Sequence, residues 1–158
     1  MKKKIIITLG ILTVLFTSIA GFAVASGVMD KKDKPSDYKI GVTYEEALSN
    51  PEKPILAVFY VDWCGYCLRF MPKYKILNTL YKDKYNFVMI NAEDPAYKKL
   101  VEDVSLTGFP TVFILDPKYD NRVHLSQSIY ADLGKFRTEI DRYVRIRRIL
   151  DKAEAIEK

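Results

Sequence analysis

Cys64 and Cys67 are the only two cysteines in this chain of 158 residues, and they lie in Trp63-Cys64-Gly65-Tyr66-Cys67. On a helix, a spacing of three residues puts two side chains on one face, about a turn apart. Ahead of the pair runs an apolar stretch, residues 55–61, that reads as a strand covered on both faces. Behind it, residues 68–84 read as helix. The pair therefore sits where a buried strand hands over to a helix N-terminus. Unpaired N–H groups and the macrodipole stabilise negative charge there. The thiolate is the reactive form of cysteine, and such a site lowers its pKa from ~8.5 to between ~3.5 and ~7.5. The arrangement points to a dithiol/disulfide couple, with Cys64 at the helix mouth as the attacking thiol and Cys67 as the resolving one.

Two blander chemistries compete. Two cysteines could be half a zinc site, but a closed tetrahedral site needs four ligands, and His124 is the only histidine. No metal site is expected. A purely structural disulfide is the other rival, although closing so short a loop constrains the unfolded chain little.

Trp-Cys-x-x-Cys after a buried strand resembles the thioredoxin superfamily. Pro72 stands five residues after Cys67, where thioredoxins carry a kinking proline. Gly108-Phe109-Pro110-Thr111 is similar to the family loop that holds a cis-proline opposite the cysteines. The resemblance covers about residues 43–145. Tyr60-Val61-Asp62-Trp63-Cys64 looks most like the thioredoxin-like domains of bacterial envelope reductases, such as the C-terminal domain of the transmembrane thiol–disulfide interchange protein. Gly65-Tyr66 is the dipeptide of periplasmic disulfide isomerases. The resemblance implies a cis bond between Phe109 and Pro110. It also implies that this loop docks an extended client beside Cys64. Trp63 would shape the surface that partners touch or simply pack beside Cys64, and Tyr66, between the thiols, is either part of that docking surface with Gly65 or an exposed aromatic. It implies no metal and no organic cofactor. In one respect the chain departs from the family. Thioredoxins bury an aspartate in the strand before the cysteines, often partnered by a lysine; the matching positions here are Val58 and Met89. Deprotonation of Cys67 is then left to water, Glu93 or another group.

The length fits one domain with a core of its own. The apolar fraction of 49% and the spread of charge argue against disorder. The formal charge of +5 includes Lys2, Lys3 and Lys4, and without them it is about +2, too little to suggest a nucleic-acid partner. Those lysines precede an apolar run, residues 5–22, and then Ala23-Val24-Ala25. This reads as a secretory signal peptide, residues 1–25, with an uncleaved membrane anchor as the rival. Either places the soluble part in the periplasm or another extracytoplasmic space, where a lone Cys-x-x-Cys pair suits an oxidising compartment. Residues 26–39 read as a linker, and residues 40–158 as the thioredoxin-like domain.

Within that domain, Thr43-Tyr44-Glu45-Glu46 has the spacing of a capping box for a short helix, which Pro51 and Pro54 end. The main helix is expected over residues 64–84, with Phe70, Tyr74, Leu77, Leu80 and Tyr81 inward. Residues 87–91 read as a strand. Asp94-Pro95 opens a helix to about residue 104, with Leu100, Val101 and Val104 inward. Residues 111–115 and 122–126 read as a hairpin turned by Asp116-Pro117 and Asp120-Asn121. One helix is expected over residues 130–158, its stripe at Leu133, Phe136, Ile140, Tyr143, Val144, Ile146, Ile149 and Leu150. A first strand is expected near residues 38–42. The result is an α/β fold, a mixed central sheet with helices on both faces and an extended C-terminal helix. Arg145, Arg147, Arg148 and Lys152 read as a solvated basic face, partly offset by Asp151, Glu154 and Glu157. Asp62 and Arg69 are likewise expected in solvent.

The leading functional reading is an exported thiol–disulfide oxidoreductase. It would act on disulfide-bearing envelope proteins, leaning to reduction, and draw electrons from a membrane thiol–disulfide donor. Isomerase or oxidase action is the alternative, and a non-catalytic thioredoxin-like adaptor is the reading from another class. A monomer is expected. The export signal is directly testable: the mature chain is expected to begin at Ser26, by intact mass of protein from the envelope fraction. A mass that retains residues 1–25 would establish the anchor instead.

Overall fold

Strand β1, Ile55–Tyr60, is buried at all six positions. Its alternation feeds two cores: Leu56, Val58 and Tyr60 enter one, and Ile55, Ala57 and Phe59 the other. The computed structural model describes residues 32–157; the expected export segment lies outside the described residues. β1 pairs in parallel with β2, Asn86–Asn91, and antiparallel with β3, Thr111–Asp116. β3 pairs antiparallel with β4, Asn121–Leu125, so the sheet order is β2-β1-β3-β4.

Helices cover both faces. On the first, α2 (Gly65–Tyr81) contributes Phe70, Met71, Tyr74 and Leu77, and α5 (Leu133–Glu157) contributes Phe136, Ile140 and Tyr143. On the second lie α1 (Tyr44–Leu48) with Ala47 and α3 (Lys98–Asp103) with Leu100 and Val101. A short helix α4, Gln127–Tyr130, precedes α5. Tyr74 fixes α2 to the sheet. Its hydroxyl donates to the Leu56 carbonyl and accepts from the Val88 N–H at 3.1 Å. Burial pushes that phenol far above its ordinary pKa, so it stays a neutral donor.

The local signals for α1 and the turn after β2 are met. Thr43 Oγ1 accepts from the Glu46 N–H at 3.1 Å while Glu46 answers the Thr43 N–H. Asp94 Oδ1 accepts from the Ala96 N–H at 2.9 Å and opens a 3-10 turn, Pro95–Tyr97, before α3. Pro72 lies inside α2 on its exposed side, where a missing N–H is cheapest.

Several expectations are corrected. The first strand does not form; residues 40–42 make only one bridge, Val42 to Val88. The cause is backbone geometry. Lys39 and Gly41 both take positive φ, 40° and 78°, and a Cβ on Gly41 would lie 1.9 Å from the Phe87 carbonyl oxygen. That contact demands glycine and breaks the extended run. Part of the segment read as linker carries structure. Pro35–Tyr38 is a 3-10 helix with Pro35 buried, held where the Ser36 N–H and Oγ donate to Asp62 at 3.0 and 2.9 Å. Asp62 is therefore not simply solvated; it also lies 4.0 Å from Lys34 Nζ. The last helix is two helices, because Asp132 restarts it by accepting from the Lys135 N–H at 2.8 Å. That hydrogen bond, the largest influence on the group, holds the Asp132 carboxyl below its usual pKa. Leu80, Ile146, Ile149 and Leu150 are exposed rather than inward, off the buried faces that Leu77 and Tyr81 mark on α2 and Tyr143 and Arg147 on α5.

The largest correction is Arg147. It is buried, and its Nε lies 2.9 Å from Oδ2 of the buried Asp116. That contact is an ion pair without hydrogen-bond alignment, and Asp116 Oδ1 has no hydrogen-bond partner. The Arg147 guanidinium also donates to the carbonyls of Pro51, at 2.7 Å, and Glu52. Tyr143 donates its hydroxyl to Asp116 at 3.1 Å. α5 is thus bolted to the end of β3 and to the α1–β1 turn. Asp151 and Glu154 are drawn to Lys118, at 2.6 and 3.2 Å, as well as offsetting the basic residues of their own helix. Removing one partner from a buried pair leaves an uncompensated charge. Arg147→Met is expected to cost ~3–5 kcal/mol in denaturant unfolding. Adding Asp116→Leu to it is expected to return much of that loss.

Candidate active site

Cys64 is the N-cap of α2. N-caps are usually Ser, Thr, Asp or Asn, whose side chains accept from the first-turn N–H groups. Here the acceptor is sulfur: the Cys67 N–H donates to Cys64 Sγ at 3.1 Å. Cys64 and Cys67 are joined as a disulfide, with Cα atoms 5.2 Å apart. Cys64 is 6% exposed and Cys67 is fully buried. The expected order of accessibility holds, but Cys64 shows only a sliver of itself, since a neighbouring loop covers it. That loop carries the Phe109–Pro110 bond, which is cis as the resemblance implied. The Phe109 carbonyl oxygen lies 3.7 Å from Cys64 Sγ.

The loop is fastened at both ends. Thr111 Oγ1 donates to the Gly108 carbonyl at 2.6 Å, and the Tyr130 hydroxyl donates to the Pro110 carbonyl at 2.7 Å. Tyr130 packs edge-on to Phe70 of α2, with ring centroids 5.4 Å apart. Lys73 closes the circuit by donating to the carbonyls of Tyr130, at 3.2 Å, and Ala131. Tyr130 is the residue that sequence reasoning missed. No local pattern marks it; its partner is twenty residues away in the chain.

Trp63 and Tyr66 flank the sulfurs and are 73% and 67% exposed. Trp63 meets the Phe109 ring edge-on at 6.4 Å and donates Nε1–H to Glu93 at 2.8 Å. Gly65, the first residue of α2, is exposed, with nothing near where a Cβ would be. Arg69 is not simply solvated; its guanidinium lies 4.5 Å over the Tyr66 ring. The structure therefore gathers Trp63, Gly65, Tyr66, Phe109 and Pro110 around Cys64, the more exposed of the two cysteines.

Beneath the sulfurs the chain is apolar. Val58 is fully buried and is paired across the sheet with Met89. Glu93 is exposed and engaged by Trp63. Tyr60 lies on the same strand face as Val58, but burial first, then Asp62 and Asp94, push its phenol up to about 12. It is no base at neutral pH. Among the described residues no group of His, Cys, Asp and Glu could hold a metal, and no helix is long and apolar enough to cross a membrane.

A βαβ unit, an antiparallel hairpin and a helix-capped Cys-x-x-Cys beside a cis-proline define a thioredoxin fold. The family described as Thioredoxin matches the chain over residues 38–132, and the chain belongs to that family. It is 32% identical over 128 residues to a protein disulfide-isomerase of Arthroderma benhamiae, covering 78% of this chain and 24% of that protein. It is 40% identical over 73 residues to the chloroplastic thioredoxin-like protein HCF164 of Arabidopsis thaliana, covering 46% of this chain and 28% of that one. The chain thus spans about a quarter of the length of these curated relatives. Among solved structures, the germline-specific thioredoxin Deadhead of Drosophila melanogaster aligns with TM-score 0.53 at 22% identity, over 72% of this chain and 98% of that one.

The site's asymmetry has a measurable consequence. In the reduced protein Cys64 is expected to react with iodoacetamide at least tenfold faster than Cys67, since it alone is accessible and capped by an N–H. Timed quenching with peptide mass analysis measures this; equal rates would reverse or erase the assignment.

Proposed function

We propose that this chain is an exported thiol–disulfide oxidoreductase that acts on cysteine pairs of envelope proteins, mainly as a reductase. The observation that carries the catalytic part is the Cys67 N–H aimed at Cys64 Sγ at the start of α2, beside the cis-Pro110 loop. In the reduced form that N–H and the helix N-terminus stabilise a Cys64 thiolate. The thiolate attacks one sulfur of a client disulfide, and the client's other sulfur leaves as a thiolate. Cys67 then loses its proton and attacks Cys64 Sγ. The client departs with two thiols and the chain holds the Cys64–Cys67 disulfide. With Val58 and Met89 below, no carboxylate on β1 or β2 takes the Cys67 proton; the departing client thiolate or water takes it.

The export and envelope parts rest on the N-terminal sequence. The reductase direction rests on the resemblance of residues 60–64 to envelope reductases, and in an oxidising compartment it requires electrons from a membrane thiol–disulfide donor. Isomerase action is the second reading, supported by Gly65-Tyr66 and by the similarity to a protein disulfide-isomerase. The apolar floor under Cys67 favours a third, a binding adaptor that exchanges disulfides poorly.

Two measurements separate these readings. Insulin reduction with dithiothreitol is expected to proceed and to vanish in Cys64→Ser, while Cys67→Ser accumulates mixed disulfides with clients. No turnover and no trapping would leave the adaptor. The reduction potential fixes direction: a value near about −270 mV supports a reductase, and one near about −180 mV an isomerase.

A further inference from the structure

On one side of the accessible sulfur, Tyr66, Arg69, Phe70, Lys73, Pro110 and Tyr130 line a shallow pocket of ≈ 180 Å³. Among the described residues no Asp or Glu lines it. Both cations are held in place, Arg69 over the Tyr66 ring at 4.5 Å and Lys73 on the Tyr130 and Ala131 carbonyls. Asp132, next to Ala131, caps the first turn of α5 and offsets part of the Lys73 charge, which leaves Arg69 as the main cation of the pocket. No carboxylate among the described residues pairs with Arg69. Beside Trp63 the charge is of the opposite sign. Glu93 is fixed there by Trp63 Nε1–H at 2.8 Å, and Asp94 follows it.

The active surface is therefore polarised, cationic past Tyr66 and anionic past Trp63. A client disulfide must lie over Cys64 Sγ to react, so the residues flanking its cysteine fall on these two fields. We propose that Arg69, with Lys73, selects client segments that carry an acidic residue beside the reacting cysteine, seated in the pocket between Tyr66 and Tyr130. Arg69 suits the task. Its guanidinium can take a carboxylate bidentately while stacked on an aromatic ring. Among the described residues its one fixed side-chain contact is that ring, so exchanging it leaves the core and the Pro110 loop intact. Lys73, tied to two carbonyls, supplies charge and also holds α4.

The inference rests on the oxidoreductase reading, and its test separates the two. The full chain, reduced, is mixed with three glutathione-disulfide peptides that differ only beside the cysteine, carrying Asp, Ser or Lys, in versions placing that residue before or after it. Stopped-flow loss of the mixed disulfide gives each rate constant. At low salt the Asp peptide is expected to react about fivefold faster than the Lys peptide, with Ser between, for one of the two placements. Exposed charge pairs are weak and screened by salt, so the ratio should shrink toward one at ~0.5 M salt. Arg69→Glu is expected to invert the order and Arg69→Lys to keep it. A change in Cys64 thiolate content alters all three rates together, so the ratio reports selection alone. Equal rates for the three peptides in both placements, with Cys64 still reacting, would overturn the selection and spare the enzyme. An Arg69→Glu variant that keeps the wild-type order would also overturn it. Failure of every peptide to react would sink the oxidoreductase reading itself.

Discussion

A helix needs acceptors for its first N–H groups, and here one acceptor is a sulfur that must also react. The Cys67 N–H at 3.1 Å from Cys64 Sγ serves both needs. As a cap it begins α2; as a charge-stabilising dipole it favours thiolate over thiol at the same atom. Everything nearby works to hold that geometry. β1, buried throughout, fixes where the chain emerges. Tyr74 locks α2 to β1 and β2 from below. The Pro110 loop, held by Tyr130 and Thr111, closes over Cys64 and leaves that residue only 6% exposed. Sulfur is a weaker acceptor than oxygen, so the cap contributes less than a serine or aspartate would. The packing of Phe70, Met71, Tyr74 and Leu77 carries the helix instead.

The chemistry was legible because it is local. Two cysteines three apart, a strand before and a helix after, are visible without a structure, and so are the Thr43–Glu46 box and the Asp94-Pro95 start. What sequence reasoning lost are groups whose meaning depends on a distant partner. Arg147 stands in a basic run and looks solvated, but Asp116 and the Pro51 and Glu52 carbonyls draw it inside. Asp62 looks solvated until Ser36, twenty-six residues earlier, folds back on it. Gly41 gave no warning that it must pass within contact of the Phe87 carbonyl. Tyr130 sits in what periodicity reads as continuous helix, because a break of two residues does not disturb a 3.6-residue pattern. In each case the missing information was a tertiary contact.

The buried charge and the reactive sulfur stand at opposite ends of the sheet. β3 begins just after Pro110 and ends at Asp116, six residues or about 20 Å of strand. One end holds a buried ion pair; the other has Val58 and Met89 beneath the cysteines where a carboxylate and a lysine would have to be desolvated. Burying an ion pair costs several kcal/mol per ion before attraction offsets it. The chain accepts that cost where two carbonyls of the α1–β1 turn and a tyrosine hydroxyl can share it, and avoids it under the active site. Stability under the cysteines is then carried by apolar packing alone, and the cysteine end loses a built-in proton store. The proton that Cys67 must shed has to leave through the same opening that admits the client. That ties proton release to client occupancy: a docked client that excludes water must itself take the proton, through the thiolate it has just formed. In this design the resolving step depends on the leaving sulfur's basicity as well as on its reach, a dependence that a buried acceptor would have removed.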